Sequence, residues 1–257
     1  MTIAYIPKDY WEKRLSGGFD LSRVGYFGLS NFYNKFLYKA KIRTLKKALL
    51  LQHVEIHNKT VCDVGCGTGF FVDFYHLQKA NYIVGVDITH VSIEFLKRKY
   101  PHYHFVKEDV SSSSLISKFN RKFDIINVFD VLYHITDDKA FGLAIANICK
   151  LTNDNGFIFI SDSFGSKDIN AAEHVKFRSR GIYQTTLEDN GVKIIAAYPL
   201  FYLLHRPILG MTKIKGLRKI GGILDNLFAP FYYYFDGIFF SNQSSSLSLI
   251  VARKVKP

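Results

Sequence analysis

Five short apolar runs, each ending at or beside an aspartate, constrain this chain more than any other feature. They are KTVCDVG (59–65), NYIVGVDI (81–88), HYHFVKED (102–109), FDIINVFD (123–130) and GFIFISDS (156–163). Val, Ile and Phe crowd these runs with little polar alternation, as expected of strands covered on both faces. Between them lie segments of helical character at 70–79, 91–99, 112–119 and 138–151. Strands alternating with helices build parallel βαβ units, so the expected core is a parallel sheet sandwiched between helices. A helix-like segment at 171–180, a sixth strand VKIIAAY (192–198) and a last strand SSLSLIVARK (245–254) complete the pattern.

Two segments stand outside the alternation. Residues 8–16 and 31–53 read as helices, the second with Phe32, Phe36, Leu37, Ala40 and Leu45 recurring at helical spacing. Residues 199–244 are aromatic, basic and glycine-containing, with FAPFYYYFDGIFF near their end. The expected organisation is an N-terminal helical lid (1–54), a ligand-binding core (55–198), a cap or insertion (199–244) and a final core strand (245–257).

At 257 residues and 48% hydrophobic, the chain can bury a sizeable core. Its net charge of +12 is spread over several short basic clusters, which reads as solvated faces rather than a polyanion surface. Three cysteines, Cys62, Cys66 and Cys149, form no paired or zinc-binding framework; they fit packing thiols in a reducing compartment. No metal site is expected. The N-terminus has no apolar signal core. The most apolar window, Ile223 to Phe240, is broken by Asp225, Asn226, Pro230 and Asp236. A cytoplasmic location is the expectation.

Open parallel sheets bind ligands beyond the carboxyl ends of their strands. Asp63, Asp87, Asp109, Asp130 and Asp162 all fall there. The first strand runs into Gly65-Cys66-Gly67-Thr68-Gly69, a loop whose bare backbone lets a ligand lie against it. A dinucleotide fingerprint would need a small residue where Phe70 stands, and a nucleotide P-loop would need a following Lys-Ser/Thr that is absent.

VCDVGCGTGFF (61–71) resembles motif I of class I S-adenosylmethionine (SAM)-dependent methyltransferases. The neighbouring motifs agree: VGVDIT carries Asp87, VKEDV carries Glu108 and Asp109, and FDIINVFDVLYHI resembles the family's fourth strand and following loop. The resemblance implies a Rossmann-like α/β fold with a mainly parallel seven-stranded sheet. It also implies SAM as cofactor, held by Asp63, Gly65, Cys66, Gly67 and Gly69, by Asp87 at the ribose, and by Asp109 at the adenine. Ile88 and Val110 would flank the adenine, and Asp130 is a further cofactor-binding candidate.

Methyl transfer to a hydroxyl benefits from a base, and His134 stands where the family places a residue near the transferred methyl; Asp162 is a second catalytic candidate. For the acceptor, Tyr33, Tyr133, His174, Arg178 and Tyr183 are candidates, with His174 and Arg178 expected to share one helix face. Tyr10, Trp11, Tyr26 and Phe27 are further aromatic lid candidates. No N-P-P-Y/F-type loop or C5-methylation cysteine motif is present. The expected activity is therefore O-methylation of a small molecule or glycan intermediate. The alternatives are a lipid-linked acceptor at a membrane surface, RNA or protein methylation, and a non-catalytic SAM-binding protein. The 199–244 segment is open to three readings: a buried subdomain, a homodimer contact or a peripheral membrane contact.

Overall fold

The computed structural model describes residues 5–26, 28–205, 215–239 and 247–255, with 215–222 described by backbone alone. Phe27 and the side chains of the basic KIKGLRK stretch lie outside the described residues.

The chain begins with α1 (Pro7–Ser16), α2 (Leu21–Val24) and α3 (Asn31–Leu51). The alternating core follows: β1 (Thr60–Val64), α4 (Phe70–Leu77), β2 (Tyr82–Asp87), α5 (His90–Lys99), β3 (His104–Lys107), β4 (Phe123–Phe129), α6 (Asp138–Leu151) and β5 (Thr152–Ser163). A small hairpin, β6 (Ile169–Ala172) and β7 (Val175–Phe177), precedes α7 (Arg180–Glu188), β8 (Val192–Pro199), α8 (Lys215–Ile238) and β9 (Leu247–Lys254).

Seven strands form one sheet in the order β3-β2-β1-β4-β5-β9-β8. The first five are parallel, whereas β9 runs antiparallel to both β5 and β8. Pleating sends successive side chains to opposite faces. Along β1, Val61 enters the apolar layer shared with α3, α4 and α8, while Cys62 and Val64 enter the layer shared with α6 and α7. The strand order reverses between β1 and β4, which places a crevice at their carboxyl ends.

Two expectations need correction. The helix expected at 112–119 is a loop with one short 3-10 turn at Ile116–Lys118. Ser111 and Ser112 spend their side chains on local bonds to Asp109 and Ser114, and Asn147 holds the carbonyls of Val110 and Ser112. Such local side-chain bonding competes with the helical ladder. The helix expected at 171–180 is the β6–β7 hairpin, turning at Glu173 and His174 between the pair Ala172 and Val175. His174 and Arg178 therefore do not share a helix face.

Candidate functional site

The crevice is built from the β1–α4 loop outward. Gly65, Gly67 and Gly69 all take left-handed backbone, with φ of 70°, 47° and 83°. At two of them the packing is as demanding as the dihedral. A Cβ on Gly65 would lie 2.2 Å from Val131 Cγ2, and one on Gly69 would lie 2.4 Å from Leu96 Cδ2. The loop is braced from beneath by buried polar groups. Tyr75 donates its hydroxyl to Asn127 Oδ1 (3.1 Å), and Asn127 Nδ2 donates to Asp63 Oδ1 (2.6 Å). Asp63 Oδ2 is buried without a partner, and burial pushes this carboxyl up to about 7.

Asp87, at the end of β2, ties the loop to the next crossover. Its Oδ2 accepts from Gly67 N–H (2.8 Å), and Oδ1 accepts from Thr89 N–H (2.9 Å) and its hydroxyl (2.6 Å). Burial raises its pKa against those bonds. Beyond β3, Asp109 Oδ1 accepts both the N–H and the hydroxyl of Ser111, each at 2.7 Å.

Gly65, Gly67, Asp87 and Asp109 border a cavity of about 380 Å³, whereas Asp63 and Gly69 do not reach its wall. The glycine loop forms its floor with Gly65, Cys66 and Gly67; Asp87, Ile88, Asp109 and Val110 lie along one side, and Asp130 and His134 along another. The remaining wall comes from the N-terminal segment, through Tyr5, Trp11 and Leu15. That wall is pinned to the core. Glu12 of α1 accepts the N–H groups of His90 (2.6 Å) and Val91 (3.2 Å), satisfying donors at the start of α5 that the helix cannot pair itself. Arg14 Nη2 donates to the Gly25 carbonyl at 2.9 Å, binding α1 to the segment after α2.

The fourth strand delivers two residues of different character. Asp130 stands in left-handed backbone (φ 60°). Its N–H donates to Ser161 Oγ and its Oδ1 accepts from the same hydroxyl, both at 2.9 Å. Its Oδ2 ion-pairs with Lys41, a buried lysine of α3 whose ammonium also lies 4.1 Å from the Tyr38 ring centre. Asp130 thus borders the cavity with its charge already balanced from within.

His134 follows in a short turn. Its Nδ1 lies 2.8 Å from the His174 carbonyl. A carbonyl only accepts, so Nδ1 carries the proton and Nε2 the lone pair. Trp11 packs edge-on against the ring at 4.8 Å between centroids, and Tyr5 donates its hydroxyl to the His134 carbonyl at 3.2 Å. Burial lowers the imidazole pKa to about 4, so the ring is neutral near pH 7.

The expected acceptor residues divide. His174 reaches the site through its backbone carbonyl, while its ring stacks on Tyr10 with centroids 4.8 Å apart. Tyr133 packs against His134 and Phe177 without bordering the cavity. Tyr33, Arg178, Tyr183 and Asp162 also lie outside the cavity wall, each buried with an internal partner. Tyr33 donates to the Leu204 carbonyl at 3.1 Å, and Tyr183 donates to Asp162. Arg178 pairs with Asp138 at 2.9 Å with its guanidinium 4.0 Å from the Phe141 ring centre. Tyr26 likewise turns to His205. Sequence reasoning missed Tyr5, Glu12, Lys41 and Asn127; a carboxylate and a lysine on amphipathic helices read as solvent-facing until their partners are known.

The residues fit SAM. The volume lies in the roughly 300–1,000 Å³ range of small-molecule sites. The acids after β2 and β3 offer acceptors suited to hydroxyls and an exocyclic amine, and Ile88 and Val110 offer apolar faces beside them. No group of three or more His, Cys, Asp or Glu placed to hold a metal occurs among the described residues.

Residues 33–196 match the methyltransferase-domain family. Among curated proteins, a putative methyltransferase of Invertebrate iridescent virus 6 is 31% identical over 94 residues, covering 36% of this chain and 34% of the relative. A tRNA U34 carboxymethyltransferase of Sulfurovum sp. is 28% identical over 125 residues, 46% of this chain and 38% of the relative. These matches span well under half the length of either relative. Among solved structures, magnesium protoporphyrin IX methyltransferase from Synechocystis PCC 6803 with bound SAM superposes with a TM-score of 0.59 at 17% identity, over 100% of both chains. The N-methyltransferase NodS of Bradyrhizobium japonicum WM9, in complex with S-adenosylhomocysteine, gives 0.57 at 13% identity over 97% of this chain and 100% of its own. The solved structures share the fold of this chain, and the match over residues 33–196, with the glycine loop and the acids after β2 and β3 inside it, shows that the chain belongs to the methyltransferase-domain family.

Proposed function

We propose that this enzyme methylates a hydroxyl of a small molecule or sugar-type acceptor, with His134 as general base. The supporting observation is the fixed tautomer of His134, a residue of the cavity wall whose Nδ1 proton is held by the His174 carbonyl. In this reading Asp87 and Asp109 hold the ribose and adenine ends of the cofactor, Ile88 and Val110 flank its base, and the glycine loop lies under the rest. Bound there, SAM supplies a methyl group already activated by its sulfonium.

The chain's own residues supply alignment and the proton acceptor. Tyr5, Trp11 and Leu15 exclude water from one side, and a desolvated, aligned pair of reactants gains most of what such an enzyme can provide. The acceptor oxygen gains the methyl while its proton passes to His134 Nε2, and S-adenosylhomocysteine is the leaving product. Burial holds the imidazole pKa to about 4, so the lone pair is free near pH 7 but the ring is a weaker base than an unperturbed histidine.

The test combines calorimetric SAM binding with mass spectrometry of a panel of hydroxyl, amine and RNA acceptors. A methylated hydroxyl product, with His134→Asn slowing turnover about 10²- to 10⁴-fold at unchanged SAM affinity, is the expected result. Methylation of amines alone, or full activity in His134→Asn, would refute it. The similarity to tRNA U34 carboxymethyltransferases and the net charge of +12 favour an RNA acceptor as the second reading. RNA binding that falls steeply with salt, accompanied by methylated RNA, would establish it.

A further inference from the structure

The last helix is built inside out. Both acids of the described part of α8 are turned into the protein: Asp225 accepts the Tyr232 hydroxyl at 3.0 Å, and Asp236 accepts the N–H groups of Tyr202, Leu203 and Leu204 at 2.7–3.0 Å. Ala229 and Tyr232 are buried on the same side. The opposite side is apolar. Ile223, Leu227, Phe231, Tyr234 and Ile238 recur at three- and four-residue spacing, which is one helix face. Leu227 is 69% exposed, Tyr234 64% and Ile238 68%. No charged side chain interrupts that face within 223–239.

A basic stripe lies on the neighbouring helix. α3 packs along α8, with Arg43 Nη1 donating to the Tyr233 carbonyl at 2.6 Å and its guanidinium 4.5 Å from the Tyr233 ring centre. Lys35, Lys39 and Lys46 are exposed on α3 at helical spacing with Arg43. An apolar stripe beside a row of lysines, on a chain with a net charge of +12, complements a surface that is greasy within and anionic at its rim. No helix of the described residues is long and apolar enough to cross a bilayer, which leaves a helix lying in the interface.

We propose that α8, flanked by the lysines of α3, is a docking surface for an anionic lipid bilayer. The test is co-sedimentation of the full-length protein with phosphatidylcholine vesicles, with and without phosphatidylglycerol. Binding to the anionic vesicles should exceed binding to the neutral ones at least roughly tenfold and weaken with salt. Lys35→Glu/Lys39→Glu should cost about fivefold or more per lysine, and Leu227→Gln/Phe231→Gln should abolish binding at low salt as well. Both variants change exposed side chains only, and neither touches the cavity, so SAM affinity should be unchanged. Equal sedimentation with and without vesicles would overturn the proposal. So would a concentration-dependent dimer that Leu227→Gln/Phe231→Gln dissociates while vesicle binding is absent; a second copy would then be the occupant.

Discussion

His134 offers a quantitative test of how the site is built. Its imidazole titrates near 4 in the folded protein because burial disfavours the cation, against about 6.5 when the chain is unfolded. The folded pKa is depressed, so between those values the unfolded state binds a proton that the folded state refuses. Stability is therefore lost as pH falls from about 6.5 to about 4. At about 1.4 kcal/mol per pH unit, the full loss is about 3 kcal/mol, and about 2 kcal/mol of it should have appeared by pH 5. Water in the adjoining cavity makes these upper values. Urea unfolding of wild type and His134→Gln at pH 7.5 and pH 5 isolates the contribution, because the other titrating groups are common to both proteins. The gap between the two proteins should narrow by about 1–2 kcal/mol, or reverse, on acidification. Parallel pH dependence would refute the depressed pKa, as would an NMR titration of the ring near 6.5. The same reasoning predicts no acid limb in turnover near pH 6.5, where an unperturbed histidine base would lose its lone pair.

Asp87→Ala should weaken SAM binding by roughly a hundredfold or more, because hydrogen bonds to a buried carboxylate are worth about 1.5–3 kcal/mol each. Calorimetry showing less than a threefold change would remove Asp87 from the ribose role. Glu12→Ala should speed SAM dissociation about tenfold in stopped-flow measurements while leaving global stability within about 1–2 kcal/mol, since it frees one wall of the cavity from α5. Unchanged dissociation would show that α1 stays in place without its carboxylate. Gly69→Ala should cost about 2–4 kcal/mol, from the left-handed backbone and the 2.4 Å approach to Leu96 Cδ2. Adding Leu96→Ala should recover part of the steric share, so purely additive losses in a double-mutant cycle would refute the clash.

The core strands were readable because burial on both faces leaves a continuous run of Val, Ile and Phe, and because strand ends at a ligand crevice attract acids. The hairpin at Ile169–Phe177 was not. All four β6 residues are exposed, so no apolar alternation marks them, and the Ala-Ala-Glu sequence has helical preference. The helix begins later, at Arg180, with Ser179 as its cap residue and Asp168 accepting the Ser179 N–H at 2.8 Å. Asp87, Asp109 and His134, expected from their spacing to the glycine loop and the fourth strand, border the cavity, whereas Asp63 turns to the buried Asn127 instead. Arg178 and Tyr183, expected at the acceptor, lie outside the cavity wall for a physical reason: a polar residue near the carboxyl edge can serve the interior as well as a ligand. Only the partner decides, and Asp138 and Asp162 are distant in sequence.

The pinned wall has a kinetic consequence. Glu12's two N–H contacts supply about 1–3 kcal/mol of the hold on this wall, and the Tyr5, Trp11 and Arg14 contacts add to it, so the wall opens for about a per cent of the time or less. Segmental motions of this size recur within microseconds to milliseconds, whereas a typical enzyme turns over about ten times each second. Ligand release past this wall should therefore outpace a turnover of that order, an expectation that the dissociation rate in Glu12→Ala checks. The same wall shuts water away for nearly all of the interval in which the methyl group is in play.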